Sequence, residues 1–187
     1  SEVGRVVRVR VAYTDELGSL ESPNSNATNS VTNTNETGII TVSGAVTQGQ
    51  ELSVSVSDED GTGGVTFSYQ WQVSSDGGSS WSDISGATSI SYTLTQSEVG
   101  RVVRVRVAYT DGQGTGESVT SAATSSVANV NDAPSGSVTI SGTATEDETL
   151  TAVTGTIVDE DGLGRFSYQW NRAGSAISGA TSSSYQL

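Results

Sequence analysis

Apolar and polar residues alternate along several short segments of the chain. Val103, Val105 and Val107 take every second position of one segment, and arginines lie between them. The same alternation runs through residues 51–57 and 65–74, where β-branched and aromatic residues take the apolar positions. A period of two places these side chains on one face of a strand and the polar ones on the other. The pattern therefore predicts half-buried antiparallel strands, and no segment has the periodicity of a long helix.

The predicted strands are short and are separated by turns rich in Gly, Asp and Ser. About seven of them fit into roughly 96 residues, which is the size of an immunoglobulin-like sandwich. Trp71 lies in the middle of the third predicted strand, where such sandwiches place a core tryptophan, and Trp170 is its second copy. The predicted fold class is all-β, with immunoglobulin-like antiparallel β-sandwiches in tandem.

A long internal repeat sets the predicted organisation. Residues 1–15 recur letter for letter at 97–111, so the repeat is 96 residues long, about one small domain. In strand terms, residues 36–131 form one complete domain. Residues 1–35 supply the last two strands of an upstream repeat, and residues 132–187 supply the first strands of a downstream repeat. A chain that begins within a repeat is expected to be a fragment of a longer array.

The two partial segments together hold about one full set of strands, with the complete domain between them. One hypothesis is strand complementation between chains, in which the hairpin 1–35 of one chain completes the segment 132–187 of the next. Such a contact is heterologous and propagates head to tail. The alternative is that one or both partial segments form another structure or fray.

Composition and charge narrow the chemistry. The 187 residues contain no His, Cys or Met, and all eight basic residues are Arg. His-dependent triads, zinc–thiolate sites and Schiff-base lysines are therefore excluded. A glycosidase needs two carboxylates across a cleft, for which a sandwich of this size leaves little room, so we predict no enzymatic activity. The net charge of −13 opposes nucleic-acid partners and anionic membranes but suits cations. No stretch approaches the ~20 apolar residues of a membrane span.

An acidic turn occurs twice. Asp58-Glu59-Asp60-Gly61 follows the second predicted strand of the complete domain, and residues 159–162 repeat it in the downstream segment. Alternate carboxylates can point to one centre and Gly permits a tight turn, so the oxygens can converge on a hard cation such as Ca²⁺. The alternative is a solvated acidic turn, because Asp-Gly is common in turns that bind nothing.

Topology favours the cation. In an immunoglobulin-like sandwich, the loop after the second strand, the loop between the last two strands and the leading segment share one pole. Carboxylates gathered there without a cation would repel one another. We therefore predict calcium at the junctions between repeats. The predicted ligands are Asn33, Asn35, Asp58, Asp60 and Asp111 for the complete domain, and Asn129, Asn131, Asp132, Asp159 and Asp161 for the downstream segment, joined by Asp15 if the hairpin 1–35 comes from another chain.

Several motifs in order resemble a known group of proteins. They are Asn-Val-Asn-Asp-Ala-Pro at 129–134, the acidic turns, Phe-Ser-Tyr-Gln-Trp at 67–71 and 166–170, and Ile-Ser-Gly-Ala-Thr at 84–88 and 177–181. The sequence resembles the cadherin-like and immunoglobulin-like repeats of very large bacterial adhesins, often of the RTX type exported by type I secretion. The first linker departs from the pattern, because it has Glu36 in place of Asp and lacks the Pro.

The resemblance implies a function. Such repeats are extender domains that carry a ligand-binding region away from the bacterial cell surface, and calcium at their linkers stiffens the array. It implies an extracellular location, cell adhesion as the process, and neighbouring identical repeats as partners. The alternative function is a carbohydrate- or protein-binding module of a secreted protein. Trp81 would be its candidate contact residue, because it lies in a hairpin that the downstream copy lacks.

Overall fold

Antiparallel strands account for nearly all of the regular structure. A computed structural model describes residues 2–187, and the chain divides into two compact units, Ser1–Ala128 and Asn129–Leu187. The one helix in the described residues is the short 3-10 turn Gln96–Glu98, far below the length and apolar content that a membrane span requires. The predicted all-β sandwich class is confirmed.

The chain opens with a hairpin, residues 4–31, which we call the N-terminal hairpin. Its regular strands at the tip are β1, Tyr13–Thr14, and β2, Leu20–Glu21. Backbone hydrogen bonds extend the pairing away from the tip, including Thr28 N–H to Val7 O at 2.8 Å and Val31 N–H to Arg5 O at 2.7 Å.

The complete domain follows as a two-sheet sandwich. One sheet has the order β3-β4-β7, and the other has the order β6-β5-β8-β9. The short β6 therefore pairs with β5 in the second sheet. The strands are β3 Ile39–Ser43, β4 Glu51–Ser57, β5 Ser68–Ser74, β6 Ser82–Asp83, β7 Ser91–Thr93, β8 Val102–Thr110 and β9 Gly116–Thr120.

Alternating side chains of both sheets meet in the core of this domain. Leu52 of β4, Trp71 of β5 and Val105 of β8 are fully buried, as the period of two predicts. The Trp71 indole N–H donates to Ser89 O at 3.0 Å, so its one polar atom is satisfied in the interior. Five of the eleven buried apolar residues come from β8 and the segment after β9, namely Val103, Val105, Val107, Tyr109 and Val127.

The last strand is shorter than the sequence predicts. The sequence predicts the last strand of the complete domain near residues 117–127, but β9 ends at Thr120. Beyond that residue, the hydroxyls of Ser121 and Thr124 accept the N–H groups of Val105 and Val103, both at 3.1 Å. Side-chain oxygens here take the place of backbone carbonyls, so the chain stays attached to β8 without a regular ladder.

The second unit repeats only part of this architecture. Its sheet β10-β11-β14 copies the order of β3-β4-β7, and β12 pairs with β13. No residue of the fully described range 129–187 is buried. The strands are β10 Thr139–Ser141, β11 Thr149–Val153, β12 Asn171–Arg172, β13 Ser175–Ala176 and β14 Ser184–Gln186.

The close packing of Gly38 against Tyr109 in the complete domain can be tested by a substitution. A Cβ atom at Gly38 would fall on the Tyr109 hydroxyl group. We expect Gly38→Ala to lower the free energy of unfolding by about 1–3 kcal/mol, because the ring must move. Chemical denaturation measures the effect.

Gly116→Ala is the matched control, because a Cβ there meets nothing within 4 Å and the backbone is not left-handed. Equal losses of stability in the two variants would contradict the packing explanation.

Candidate cation-binding pole

The first acidic turn is ordered by its own hydrogen bonds. The Asp58 carboxylate accepts the Asp60 N–H at 2.8 Å, and Asp58 O accepts the Gly61 N–H at 3.1 Å. Gly61 has a φ of +99°, a left-handed conformation that glycine adopts without strain. The other Asp58 oxygen accepts the Tyr109 hydroxyl at 2.6 Å. Asp58 therefore fastens the turn to β8.

Asp60 fastens the turn to the leading segment. Its side chain is only 9% exposed, and one carboxylate oxygen accepts the Glu36 N–H at 3.0 Å. The preceding residue, Asn35, donates from its side-chain amide to Glu117 at 2.7 Å. Asn33 is half-buried two residues before it. The leading segment is thus held at the pole by contacts to the acidic turn and to β9.

Asp111 has the carboxylate oxygen that bears most directly on cation binding at the pole. It is 5% exposed, and its Oδ1 accepts the N–H groups of Gln113 at 2.9 Å and Thr115 at 2.8 Å. Within residues 2–187, its Oδ2 is buried and has no hydrogen-bond partner. A buried carboxylate oxygen without a donor is costly, so it is a position that a cation would stabilise.

The loop of Asp111 lies directly against the acidic turn. Gly112 N–H donates to Gly61 O at 2.8 Å, and a Cβ on Gly112 would come within 2.5 Å of Asp60 O. The structure therefore brings Asp58, Asp60 and Asp111 to one pole, as the sandwich topology predicts.

Electrostatics at this pole are those of a negative site. Burial raises the pKa of Tyr109, and its hydrogen bond to Asp58 and the nearby charges of Asp58, Glu117 and Asp111 raise it further. Partial desolvation raises the pKa of Glu36, and the neighbouring charges of Asp60, Glu59 and Asp58 add to the shift. Both shifts show that the pole disfavours further negative charge.

The residues fit a hard cation only in part. Carboxylate and amide oxygens suit Ca²⁺, and the free oxygen of Asp111 faces no competing donor among the described residues. Within residues 2–187, however, no group of three or more acidic side chains is already gathered to hold a metal. A cation at Asp111 would therefore also need backbone carbonyls, amide oxygens or water as ligands.

The second acidic turn has the same internal bonds. Asp159 accepts the Asp161 N–H at 2.9 Å, as Asp58 does with Asp60. One oxygen of Asp161 accepts the Asp132 N–H and the other accepts the Asn129 amide, each at 2.8 Å. The Asn131 amide donates to Asp132 O at 2.9 Å. The leading segment is thus fastened to the acidic turn in both units.

Both units also have a shallow acidic cleft beside the turn. Glu36, Asp58 and Glu59 line it in the complete domain. Asp132, Asp159 and Glu160 line its counterpart in the second unit. Asp161 is exposed there, whereas Asp60 is buried. Asp15, the copy of Asp111, lies at the tip of the N-terminal hairpin, where its Oδ1 accepts the N–H groups of Leu17 and Ser19.

Two features of the pole were missed by sequence reasoning. Tyr109 ends the valine stripe and reaches Asp58, and Gly38 leaves the space for its hydroxyl. The sequence signal for this contact was Tyr109 at the end of an otherwise apolar stripe. A Tyr at that position places a hydroxyl group at the edge of the core, where it needs a hydrogen-bond partner.

Trp81 lies on the outer face of the second sheet and is half-buried. Its indole N–H donates to Gly78 O at 3.0 Å, and the Arg104 guanidinium lies 4.1 Å from its ring centroid. Arg104 also donates to Gln72 at 2.8 Å. Because Arg104 alternates with the valines of β8, the sequence predicts that it faces outward and pairs with acidic neighbours. Its contacts in the structure are instead an amide and an aromatic ring.

No protein-family model and no curated protein matches the sequence.

The unpartnered oxygen gives a direct test. We expect calcium to raise the melting temperature of the complete domain, and Asp111→Asn to remove that rise. The amide keeps an acceptor for Gln113 and Thr115 but loses the charge. Calorimetry in calcium and in EDTA measures the rise within each variant, so any direct effect of the substitution on folding cancels.

Glu16→Gln is the control, because it removes one exposed charge from the N-terminal hairpin. A full calcium-dependent rise in Asp111→Asn would show that the cation, if bound, does not use this carboxylate.

Glu36 gives a second, pH-based test. Its pKa is raised by desolvation and further by neighbouring carboxylates, so a bound cation should lower it by removing the contribution of those charges. Protons and calcium compete for this site. Calcium binding should therefore weaken as the pH falls through the Glu36 pKa. Carboxyl-carbon NMR titration with and without calcium measures this shift. A Glu36 pKa that calcium leaves unchanged would place the cation elsewhere.

Proposed function

We propose that the chain consists of structural spacer repeats. In this proposal they extend a large bacterial cell-surface adhesin, and calcium at the linkers restricts their motion. The observation that carries it is the paired contact between leading segment and acidic turn, Glu36 N–H to Asp60 and Asp132 N–H to Asp161. A spacer needs its linker tied to the domain that follows, and both linkers in this chain have that tie.

Calcium would strengthen this tie. At the first linker, Asp60 and Asp111 would supply carboxylate oxygens, and the linker would supply amide or carbonyl oxygens. At the second, Asp159, Asp161 and Asp132 are the acidic groups available. The cation would neutralise a pole at which desolvation, and after it the nearby carboxylates, raise the pKa of Glu36 and of Tyr109. With the repulsion removed, the linker loses freedom to leave the turn.

An extracellular setting follows from the same proposal. Extracellular calcium sites work at millimolar concentrations, which suits partly built, loop-based sites such as these. A chain without cysteine also gains nothing from an oxidising compartment and needs no disulfide there.

A binding module is the second candidate, and Trp81 is the observation that favours it. The ring is half-exposed on a hairpin that the second unit lacks. Its N–H and one face are already occupied by Gly78 and Arg104, which leaves less surface for stacking on a sugar ring. Binding on a glycan array that is lost in Trp81→Ala would support the module.

The spacer proposal predicts a mechanical effect of calcium. We expect small-angle scattering of the full chain to show a narrower distribution of maximum dimensions in calcium than in EDTA. Stabilisation of a site should reach about 2.7 kcal/mol at a free calcium concentration roughly 100 times Kd. Magnesium at equal ionic strength is the control for charge screening.

The double variant Asp159→Asn, Asp161→Asn distinguishes an effect on the second linker from an effect on the complete domain. It should widen the distribution in calcium while the melting of the complete domain stays unchanged, since both residues lie in the second unit. Identical scattering in calcium and EDTA for the parent chain would refute the spacer mechanism.

A further inference from the structure

Two neighbouring arginines lie on the outer face of the second sheet of the complete domain. Arg104 and Arg106 take alternate positions of β8, so both side chains leave the sheet on the side opposite the valines that fill the core. Two residues along a strand place their Cα atoms about 7 Å apart. We call the surface formed by these two residues with Gln72, Trp81 and Asp83 the arginine face.

Two contacts hold Arg104 in place. Its Nε–H donates to Gln72 Oε1 at 2.8 Å, and its guanidinium lies 4.1 Å from the ring centroid of Trp81. Gln72 is only 8% exposed and its amide nitrogen donates to Asp83 at 2.7 Å, so the acceptor that Arg104 uses is itself fixed. A guanidinium held by its Nε and by an aromatic ring keeps its two terminal nitrogens for another acceptor.

Asp76 fixes the hairpin that carries Trp81, residues 74–81. Its carboxylate accepts the Ser74 hydroxyl at 2.6 Å, and the N–H and hydroxyl of Ser80 at 2.9 and 2.6 Å. These hydrogen bonds hold the pKa of Asp76 well below its usual range. The Trp81 indole N–H donates to Gly78 O at 3.0 Å within the same hairpin. Trp81 is therefore in position without a ligand.

The second unit keeps the strand but not this network. Gln72 and Asp83 are cross-strand partners, and the same pairing in the second unit joins Asn171 to Ala176. The connection between the two strands, residues 75–81 in the complete domain, is shortened there to residues 173–174. The core motifs on either side, Phe-Ser-Tyr-Gln-Trp and Ile-Ser-Gly-Ala-Thr, occur in both copies. The residues that position Arg104 thus change together while the core motifs do not, which favours a role other than folding.

Neither arginine has an acidic partner among residues 2–187. Arg104 contacts an amide and an aromatic ring, and Arg106 is exposed and makes no ion pair. Asp83, the acidic residue of the arginine face, bonds to Gln72 instead. Two neighbouring guanidinium groups repel each other, and an anion bound between them would remove that repulsion. In a chain of net charge −13, positive charge left unpaired by its own carboxylates favours an external anion.

Neutral polar side chains flank Arg106. Gln70 lies opposite it on β5 and Thr120 lies opposite it on β9, and cross-strand partners share a face of the sheet. The Gln70 amide nitrogen already donates to Trp71 O and Ile84 O, which leaves its Oε1 as an acceptor. Such groups can bind the hydroxyls of a sugar ring. The net charge of the chain opposes a polyanion, so the fitting ligand carries few charges.

We propose that the arginine face binds an acidic sugar, a monosaccharide unit that carries one carboxylate at the end of a glycan. The carboxylate accepts from Arg104 and Arg106, and the ring hydroxyls bond to Gln70 and Thr120. Trp81 and Gln72 are positioning residues, because they act through Arg104. The site uses none of the carboxylates of the acidic pole, so it does not depend on the proposed spacer function.

An NMR titration of the full chain with glucuronate tests the proposal. Glucose has the same ring without the carboxylate and is the control ligand. We expect glucuronate, but not glucose, to shift the backbone signals of β8 and the Nε–H signal of Arg104. The titration is carried out in EDTA, so that calcium cannot join the sugar carboxylate to the acidic pole. Absence of these shifts, or equal shifts with glucose, would overturn the proposal.

Three matched variants locate the anion. Arg104→Gln and Arg106→Gln each remove one guanidinium of the site, whereas Arg101→Gln removes an exposed guanidinium just before β8 begins. The first two should each raise the Kd for glucuronate by at least about tenfold, which corresponds to about 1.4 kcal/mol. Arg101→Gln should leave the Kd unchanged. Equal losses in all three would show a response to net charge alone and would remove the site.

Substitutions of Trp81 test its positioning role. Trp81→Phe keeps a ring against the Arg104 guanidinium, whereas Trp81→Ala removes it. We expect Trp81→Phe to retain most of the affinity for glucuronate. Trp81→Ala should lose it, and its Arg104 Nε–H signal should be displaced even without ligand. Equal affinities of the two variants would contradict a positioning role for the ring.

An acidic peptide is the competing ligand. Acetate and a blocked Gly-Glu-Gly peptide each carry one carboxylate without the sugar hydroxyls. Weaker binding of both than of glucuronate would support recognition of the sugar. Binding of either at the affinity of glucuronate would overturn the sugar assignment and make the arginine face a site for acidic proteins.

Discussion

Burial of the valine stripe of β8 against Trp71 is the interaction on which the complete domain depends. It provides three of the eleven buried apolar residues, and each fully buried valine contributes on the order of 1.5–3 kcal/mol. The sheet β10-β11-β14 repeats the order of β3-β4-β7, and no residue of 129–187 is buried within that unit.

The acidic pole is tied to the same core. Tyr109 ends the stripe and holds Asp58 at 2.6 Å, so the acidic turn takes its position from the packing below it. Its carboxylates serve mostly as acceptors for backbone N–H groups, which explains how several of them can share one pole. Asp111 Oδ2 is the exception, and the proposed cation role depends on it. The side chains that stabilise the core therefore also position the acidic pole.

Much of this arrangement could be predicted from the sequence. Alternation identified the strands, and the repeat at residues 97–111 identified two partial sets of them. The sequence did not predict contacts that depend on side chains far apart in the chain. Arg104 meets Trp81 because β6 pairs beside β5, and the last strand ends early because Ser121 and Thr124 accept bonds meant for carbonyls. Neither contact has a periodic signal.

The identity of residues 1–15 and 97–111 has a consequence for folding. Two hairpins with the same side chains offer a groove no chemical means to choose between them, so affinity alone cannot decide which one closes which sandwich. The choice falls to chain connectivity, because a hairpin joined by a short loop is present at an effective concentration of millimolar order, far above that of any neighbour. In an array of such repeats, correct pairing is a matter of proximity in time and space, and swapped sandwiches are the characteristic error.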